Sequence, residues 1–167
     1  MTRLYRSERE KVWFWILTCV AMFVLLWVAV SPHVALAVNF TKSLHYRLFV
    51  VVKHPPAAPK NGDFVYLKFP GHTFFSKEDL FMKVVRGVPG DELITKGRDI
   101  YLNGAIVARA KEKSRLGDPL LPLHYSGKIP EGKLFLLGEQ IDSYDSRYDD
   151  IGLVDSSRIL GIGYPIF

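Results

Sequence analysis

Residues 12–30 carry no charged side chain and are built from Trp, Phe, Ile, Leu, Val and Ala, with few interruptions. A helix rises ~1.5 Å per residue, so this run approaches the ~30 Å hydrocarbon core of a bilayer. Trp13, Trp15 and Trp27 lie toward its two ends, where indole rings favour the interface. Arg3, Arg6, Arg9 and Lys11 crowd the segment before it. That basic cluster predicts a cytoplasmic N-terminus and puts everything after Ser31 on the outer face, the periplasm of a bacterial cell. The chain therefore divides into a cytoplasmic tail (1–11), a single inner-membrane span (12–30) and a periplasmic domain (31–167). A length of 167 residues leaves room for one such domain beside the anchor.

A cleaved leader is the rival reading, because Ala35-Leu36-Ala37 forms a small-x-small cleavage site. The apolar run is longer than the ~7–15 residues of an h-region, and Pro32 and His33 separate it from the alanines. An uncleaved anchor is the preferred reading, with self-cleavage at Ala37 left open.

Composition removes several function classes. The formal net charge of +5 is spread along the chain, with no basic block interleaved with aromatics, so nucleic acid is not an expected partner. The single cysteine, Cys19, lies in the apolar run and rules out an intrachain disulfide or a cysteine-based metal site. His33, His45, His54, His72 and His124 show no metal-ligand spacing. No metal or cofactor is called for.

Beyond the anchor the chain reads as mostly β. Residues 48–52 are apolar and β-branched and stop at a Pro-rich stretch, 54–59. Asn61-Gly62 announces a second strand at 63–68, and 81–88 is a third, closed by Pro89-Gly90-Asp91. Asn103-Gly104 between two short apolar runs is a strong hairpin signal. Residues 111–131 read as an extended loop, 133–138 as a strand, and 156–163 as the end of the sheet. Residues 76–80 have the makings of one helical turn. The aromatic stretch 69–75 suits either the membrane interface or the core. The punctuation predicts a small, strongly bent antiparallel sheet or barrel after the one transmembrane helix.

Two residues have chemistry to offer. Ser43 follows the apolar run closely, and Lys83 sits in the apolar strand Lys83-Val84-Val85-Arg86-Gly87-Val88-Pro89-Gly90-Asp91. A serine hydroxyl is a poor nucleophile until a neighbouring base takes its proton, and a neutral lysine can be that base. Strand alternation puts Phe81, Lys83 and Val85 on one face. If that face is the inner one, desolvation lowers the lysine pKa from about 10.4 toward the working range. An outward, solvated lysine is the plainer alternative.

Taken together these patterns resemble the type I signal peptidases, and most closely the TraF-type peptidases of bacterial conjugation systems. Thr41-Lys42-Ser43-Leu44 is similar to the nucleophile box, although His45 replaces its proline and Arg47 its glycine. Gly62-Asp63-Phe64-Val65 fits a Gly-Asp-x-Val strand, and residues 83–91 align without gaps onto the base-bearing segment. Ser143-Tyr144-Asp145-Ser146-Arg147 matches the last box, with its usual Gly-Asp-Asn opening blurred into Gly138-Glu139-Gln140. The resemblance implies a signal-peptidase-type β-domain and a serine endopeptidase. In it Ser43 is the nucleophile, Lys83 the general base, and Thr41 an oxyanion-hole hydroxyl. It further implies that Ser143 orients the lysine and that Asp145 and Arg147 form a supporting ion pair. The plainer reading of those last three residues is an ordinary polar turn. The implied partners are a precursor protein such as a conjugative pilin precursor, membrane lipid, and the type IV secretion or conjugation machinery. Hydrolysis and pilin cyclisation are not separated by sequence. A catalytically inactive assembly protein is the alternative; an autoproteolytic regulator of the repressor type is remote, since a membrane span replaces its DNA-binding domain.

Overall fold

The computed structural model describes residues 8–41, 43–55, 57–71, 73–76 and 79–167. Most of the predicted tail, with Arg3 and Arg6, therefore lies outside the described residues, as do Lys42, Pro56, His72, Lys77 and Glu78. The helical turn expected at 76–80 falls partly among them.

Among the described residues helix α1 spans Glu8–Val30. It is apolar on every side and none of its residues is buried, as in a helix with no protein partner. Among the described residues it is the one helix long and apolar enough to cross a membrane.

Among the described residues the rest is strand and loop, apart from one 3₁₀ turn at Ser156–Arg158. In chain order the strands are β1 (Val34–Val38), β2 (Leu48–Lys53), β3 (Phe64–Lys68), β4 (Leu80–Gly87), β5 (Glu92–Lys96) and β6 (Asp99–Leu102). They continue as β7 (Ala105–Arg109), β8 (Ser126–Lys128), β9 (Lys133–Leu137), β10 (Val154–Asp155) and β11 (Ile159–Pro165). Seven form a sheet ordered β1-β2-β11-β3-β4-β9-β10, and four form a second ordered β7-β6-β5-β8. Every named pairing is antiparallel. Register shifts in β4 between Val85 and Gly87 and in β11 between Ile159 and Gly161 bend the larger sheet. The mostly-β, bent antiparallel architecture expected from sequence is the one observed.

Several elements differ from the sequence reading. The Ala35-Leu36-Ala37 segment, legible as a leader cleavage site, is strand β1 and pairs with β2 in the register Ala35↔Val51, Ala37↔Phe49. β5 was not anticipated: its Glu92-Leu93-Ile94-Thr95-Lys96 has polar ends, and pairing with β6 and β8 overrides the weak local signal. The 111–131 stretch contains β8 and is tied down by bridges Lys113↔Pro119 and Pro122↔Tyr148. The last strand, β11, lies in the interior of the sheet between β2 and β3 rather than at its margin. Asn103 (φ 50°) and Gly104 (φ 82°) both take the left-handed conformation a two-residue hairpin turn demands.

Two strands are buried on both faces, and they define the core. β9 sends Leu134 and Leu136 into a cluster with Val65, Leu67, Phe69 and Val85. Its Phe135 and Leu137 join Leu93, Ile100 and Leu102 of the smaller sheet. β4 places Val85 in the first cluster and Met82 and Val84 in a third, with Leu44, Phe49 and Val51. Within the aromatic stretch 69–75, Phe69 is fully buried, its ring 4.9 Å from Phe81, and Phe74 meets Tyr144 edge-on at 5.1 Å, while Phe75 is 42% exposed.

Candidate active site

Lys83 lies mid-strand in β4, opposite Val65 of β3, and is only 6% exposed. Burial pulls its pKa from an ordinary 10.5 down to about 8; the Asp145 carboxylate raises it, and the Arg147 guanidinium adds to the lowering. The strand geometry thus selects the inward of the two orientations that alternation allows. The ammonium group donates to Ser143 Oγ at 2.7 Å and sits 5.3 Å from the Phe81 ring centre. Both contacts fix where the lysine points.

Ser143 is itself held by a tight turn. Its N–H donates to Gln140 O at 3.0 Å, and Gly138 packs against it so closely that a β-carbon there would stand 2.0 Å from Ser143 Oγ. Beneath the turn Asp145 and Arg147 form a buried, two-pronged ion pair: Nε to Oδ1 at 2.8 Å and an η nitrogen to Oδ2 at 3.0 Å. Asp145 also accepts from the Gly138 N–H at 2.8 Å, while Arg147 donates to the carbonyls of Gly138, Gln140 and Ile141. A buried charge pair whose remaining hydrogen-bonding capacity is filled in this way is stable; one stripped of a partner is not.

The same turn grips the serine segment. Glu139 N–H donates to Ser43 O at 2.8 Å and Gln140 N–H at 3.3 Å. Glu139 Oε2 accepts from both the His45 backbone N–H and Nδ1, each at 2.8 Å. On the opposite side Leu44 is buried in the cluster containing Phe49 and Met82. Ser43 itself is half-buried. Its hydroxyl lies 2.8 Å from Thr41 Oγ1, and Thr41 Oγ1 lies 2.8 Å from Asn39 Oδ1. Among the hydrogen bonds of the described residues none joins Ser43 Oγ to Lys83 Nζ.

Ser43, Thr41, Lys83 and Ser143 nevertheless line one cleft of about 350 Å³, with Phe81 and Tyr144 as an aromatic wall. Burial and a hydrogen bond to Asp150 hold the Tyr144 phenol well above its usual pKa, so it is a neutral wall and no proton carrier near pH 7. Arg115 and Asp142 form the rim, where Asp142 is paired with Lys111 and with Arg115. Those two cations hold its carboxyl below the usual range. β9 pairs with β4 only from Val84 to Gly87, so the Leu80–Lys83 stretch has no strand on that side among the described residues.

The structure therefore gathers the serine, the threonine, the lysine and Ser143 around one cleft, with Asp145 and Arg147 in the turn behind it. Sequence reasoning did not single out Asn39, Glu139 or Gly138 for any role. For the last two the blurred Gly138-Glu139-Gln140 box was the available signal; Asn39 carries none.

A family model described as signal peptidase, peptidase S26, matches residues 9–166. The chain belongs to this signal peptidase family. Similar proteins include a signal peptidase I of Bacillus licheniformis, 33% identical over 94 residues, covering 52% of this chain and 50% of that one. The signal peptidase I T of Bacillus subtilis is also 33% identical over 94 residues, covering 52% of this chain and 48% of that one. The chain spans about half the length of these curated relatives. A crystal structure of a signal peptidase I from Enterococcus faecalis overlaps 64% of this chain and 97% of its own, at 22% identity and a TM-score of 0.43. Membership of the family agrees with the resemblance seen in the motifs; it does not distinguish the TraF type within it.

Proposed function

We propose that this chain is a membrane-bound serine endopeptidase that removes leader or tail segments from exported precursors, with Ser43 as nucleophile and Lys83 as general base. The observation that carries the reading is a buried lysine, its pKa lowered to about 8, opening into the same cleft as the serine. An interior lysine costs stability, and a perturbed base in a cleft is a candidate for chemistry.

Ser43 Oγ attacks the scissile carbonyl once its side chain has turned from Thr41 toward Lys83. Neutral Lys83 takes the hydroxyl proton and passes it to the leaving amine as the tetrahedral intermediate collapses. The Ser43 N–H and the Thr41 hydroxyl stabilise the oxyanion. Ser143 keeps the lysine aimed, and the Asp145–Arg147 pair holds the turn that carries both Ser143 and the grip on Ser43. An extended substrate adds as a strand beside Leu80–Lys83, the stretch of β4 left without a neighbour on the cleft side. Helix α1 anchors the enzyme with its N-terminus in the cytoplasm and the β-domain in the periplasm, so precursors are met as they leave the membrane. The motif resemblance to TraF-type enzymes makes a conjugative pilin precursor the favoured substrate and the conjugation machinery the favoured partner.

The deciding experiment compares the full chain with Ser43→Ala and Lys83→Ala in membranes supplied with a precursor bearing an Ala-x-Ala site. Each substitution is expected to lower cleavage about 10⁴-fold. kcat/KM is expected to rise with pH through about 8, because only neutral Lys83 is a base. At pH 7 about a tenth of it is neutral. Ser43's hydrogen bond to Thr41 rather than Lys83 favours a second reading, an inactive membrane-anchored assembly protein. Cleavage that survives both substitutions, or is absent from the native chain, leaves that reading standing.

A further inference from the structure

The hydroxyls of Ser43 and Thr41 have a determinable direction. The Asn39 carboxamide is oriented by its own contacts: Nδ2 donates to Tyr46 O at 3.3 Å, and Oδ1 accepts from the Thr41 backbone N–H at 3.3 Å. Oδ1 only accepts, so in the 2.8 Å contact with Thr41 Oγ1 the threonine is the donor. A hydroxyl has one proton. With that proton committed to Asn39, Thr41 Oγ1 can meet Ser43 Oγ, at 2.8 Å, only as the acceptor. The chain of bonds therefore runs Ser43 O–H to Thr41 O–H to Asn39 Oδ1. The serine proton is committed to Thr41 rather than to the lysine, and the threonine proton to Asn39.

We propose that Asn39 is a positioning residue that holds the Thr41 hydroxyl proton until negative charge develops on the substrate. This rests on the peptidase reading above and adds a control to it. Asn39 Oδ1 is a neutral acceptor, and a hydrogen bond to an oxyanion is roughly twice as strong as one between neutral groups. A ground-state carbonyl is no better an acceptor than the amide, so it does not capture the Thr41 proton. The oxyanion does. Thr41 then donates in the transition state and not before, the condition under which a contact raises kcat instead of lowering KM. When Ser43 gives its proton to Lys83 the first bond of the chain breaks, and Thr41 is left free to rotate.

An anionic acceptor at position 39 would not be outcompeted. The test is a four-way comparison of the full chain in detergent micelles: native, Asn39→Asp, Thr41→Val and the double variant, each assayed for cleavage of an Ala-x-Ala precursor peptide. Asn39→Asp is expected to lower kcat at least tenfold with KM nearly unchanged, toward the ~10²-fold loss of an oxyanion donor. In the Thr41→Val background the same change is expected to cost less than about twofold, since the hydroxyl it acts on is gone. A tenfold loss that persists undiminished in that background overturns the proposal, as does native kcat in Asn39→Asp. A direct effect of the new carboxylate on Lys83 would show as a shifted pH profile in both backgrounds, and also overturns it. A second readout needs no turnover: Thr41→Val should move the Asn39 carboxamide signals in ¹H–¹⁵N spectra, and unmoved signals overturn the hydrogen-bond chain. If native and Ser43→Ala proteins cleave alike, the peptidase reading fails, and the spectra still decide whether Asn39 holds Thr41.

Discussion

The two halves of the cleft are built differently. Lys83 and Ser143 are nearly sealed from solvent and stand on β4 and on a turn braced by the buried Asp145–Arg147 pair. Thr41 is exposed and Ser43 half-buried, in a loop between β1 and β2. That loop is held by Asn39, by two N–H groups of the 138–140 turn and by the His45–Glu139 contact. Lys83 is fixed by packing, while Ser43 is held by a handful of hydrogen bonds beside the buried Leu44. In the mechanism proposed above, such a division suits a proton acceptor that must be desolvated at all times and a nucleophile that has to turn once per cycle.

The largest effect expected in the fold itself comes from breaking the braced half. Arg147→Met strands the Asp145 carboxylate at 1% exposure and removes three carbonyl contacts from the turn. A loss of about 3–5 kcal/mol is expected, read by denaturant unfolding of the full chain in micelles. A change under about 1 kcal/mol would mean that the pair is not the brace of this turn.

Lys83→Met moves stability in the other direction. The native lysine has a folded pKa of about 8 against an ordinary 10.5. Between those values the unfolded chain binds the more protons, so native stability rises with pH across that window, and below about 8 the full cost of the buried amine is present. The methionine variant is therefore expected to be more stable at pH 7 by up to about 3 kcal/mol, offset in part by the lost bond to Ser143. The advantage should fade between pH 8 and 10.5. An advantage that does not change with pH would show that the amine is solvated in the folded chain.

Gly138→Ala tests the joint between the halves. The added carbon would fall 2.0 Å from Ser143 Oγ and 3.1 Å from Ser43 O, so either the serine that aims the lysine or the grip on the nucleophile has to shift. About 1–3 kcal/mol of stability should be lost. kcat should fall more than KM rises, because the displacement is in the groups that react.

Much of this arrangement is legible in the chain. The uncharged 12–30 run, the strands at 48–52, 63–68 and 81–88, and the Asn103-Gly104 turn depend on local signals, and local signals survive folding. Lys83's burial was one of two options, because alternation states which residues share a face and not which face meets the core. Asn39, Glu139 and the central position of β11 depend on contacts between segments far apart in sequence or on side-chain direction within a loop. Glu139 reaches His45 across 94 positions, and no spacing rule announces such a pair. Ala35-Leu36-Ala37, legible only as a small-x-small motif, also pairs with β2 as a strand of the sheet, a partnership that depends on a segment outside the motif.

The smallest effect is expected on the nucleophile's side, and it sharpens the contrast most. His45 Nδ1 meets Glu139 Oε2 at 2.8 Å, yet the histidine side chain is 67% exposed. A contact so open to water contributes at most about 1 kcal/mol, and any charged part of it is reduced further by salt. Glu139→Gln keeps an acceptor for the His45 backbone N–H and leaves the Glu139 N–H on Ser43 O in place. Stability should change by less than about 0.5 kcal/mol. Cleavage should change by no more than a few-fold, with the difference disappearing at high salt. His45→Ala, which spares every backbone bond of the loop, should be as mild. If either variant instead costs as much as Arg147→Met, the serine loop is held by charge and not by its backbone bonds. The nucleophile would then be as firmly built as the base, and the freedom to turn would have to come from the Ser43 side chain alone.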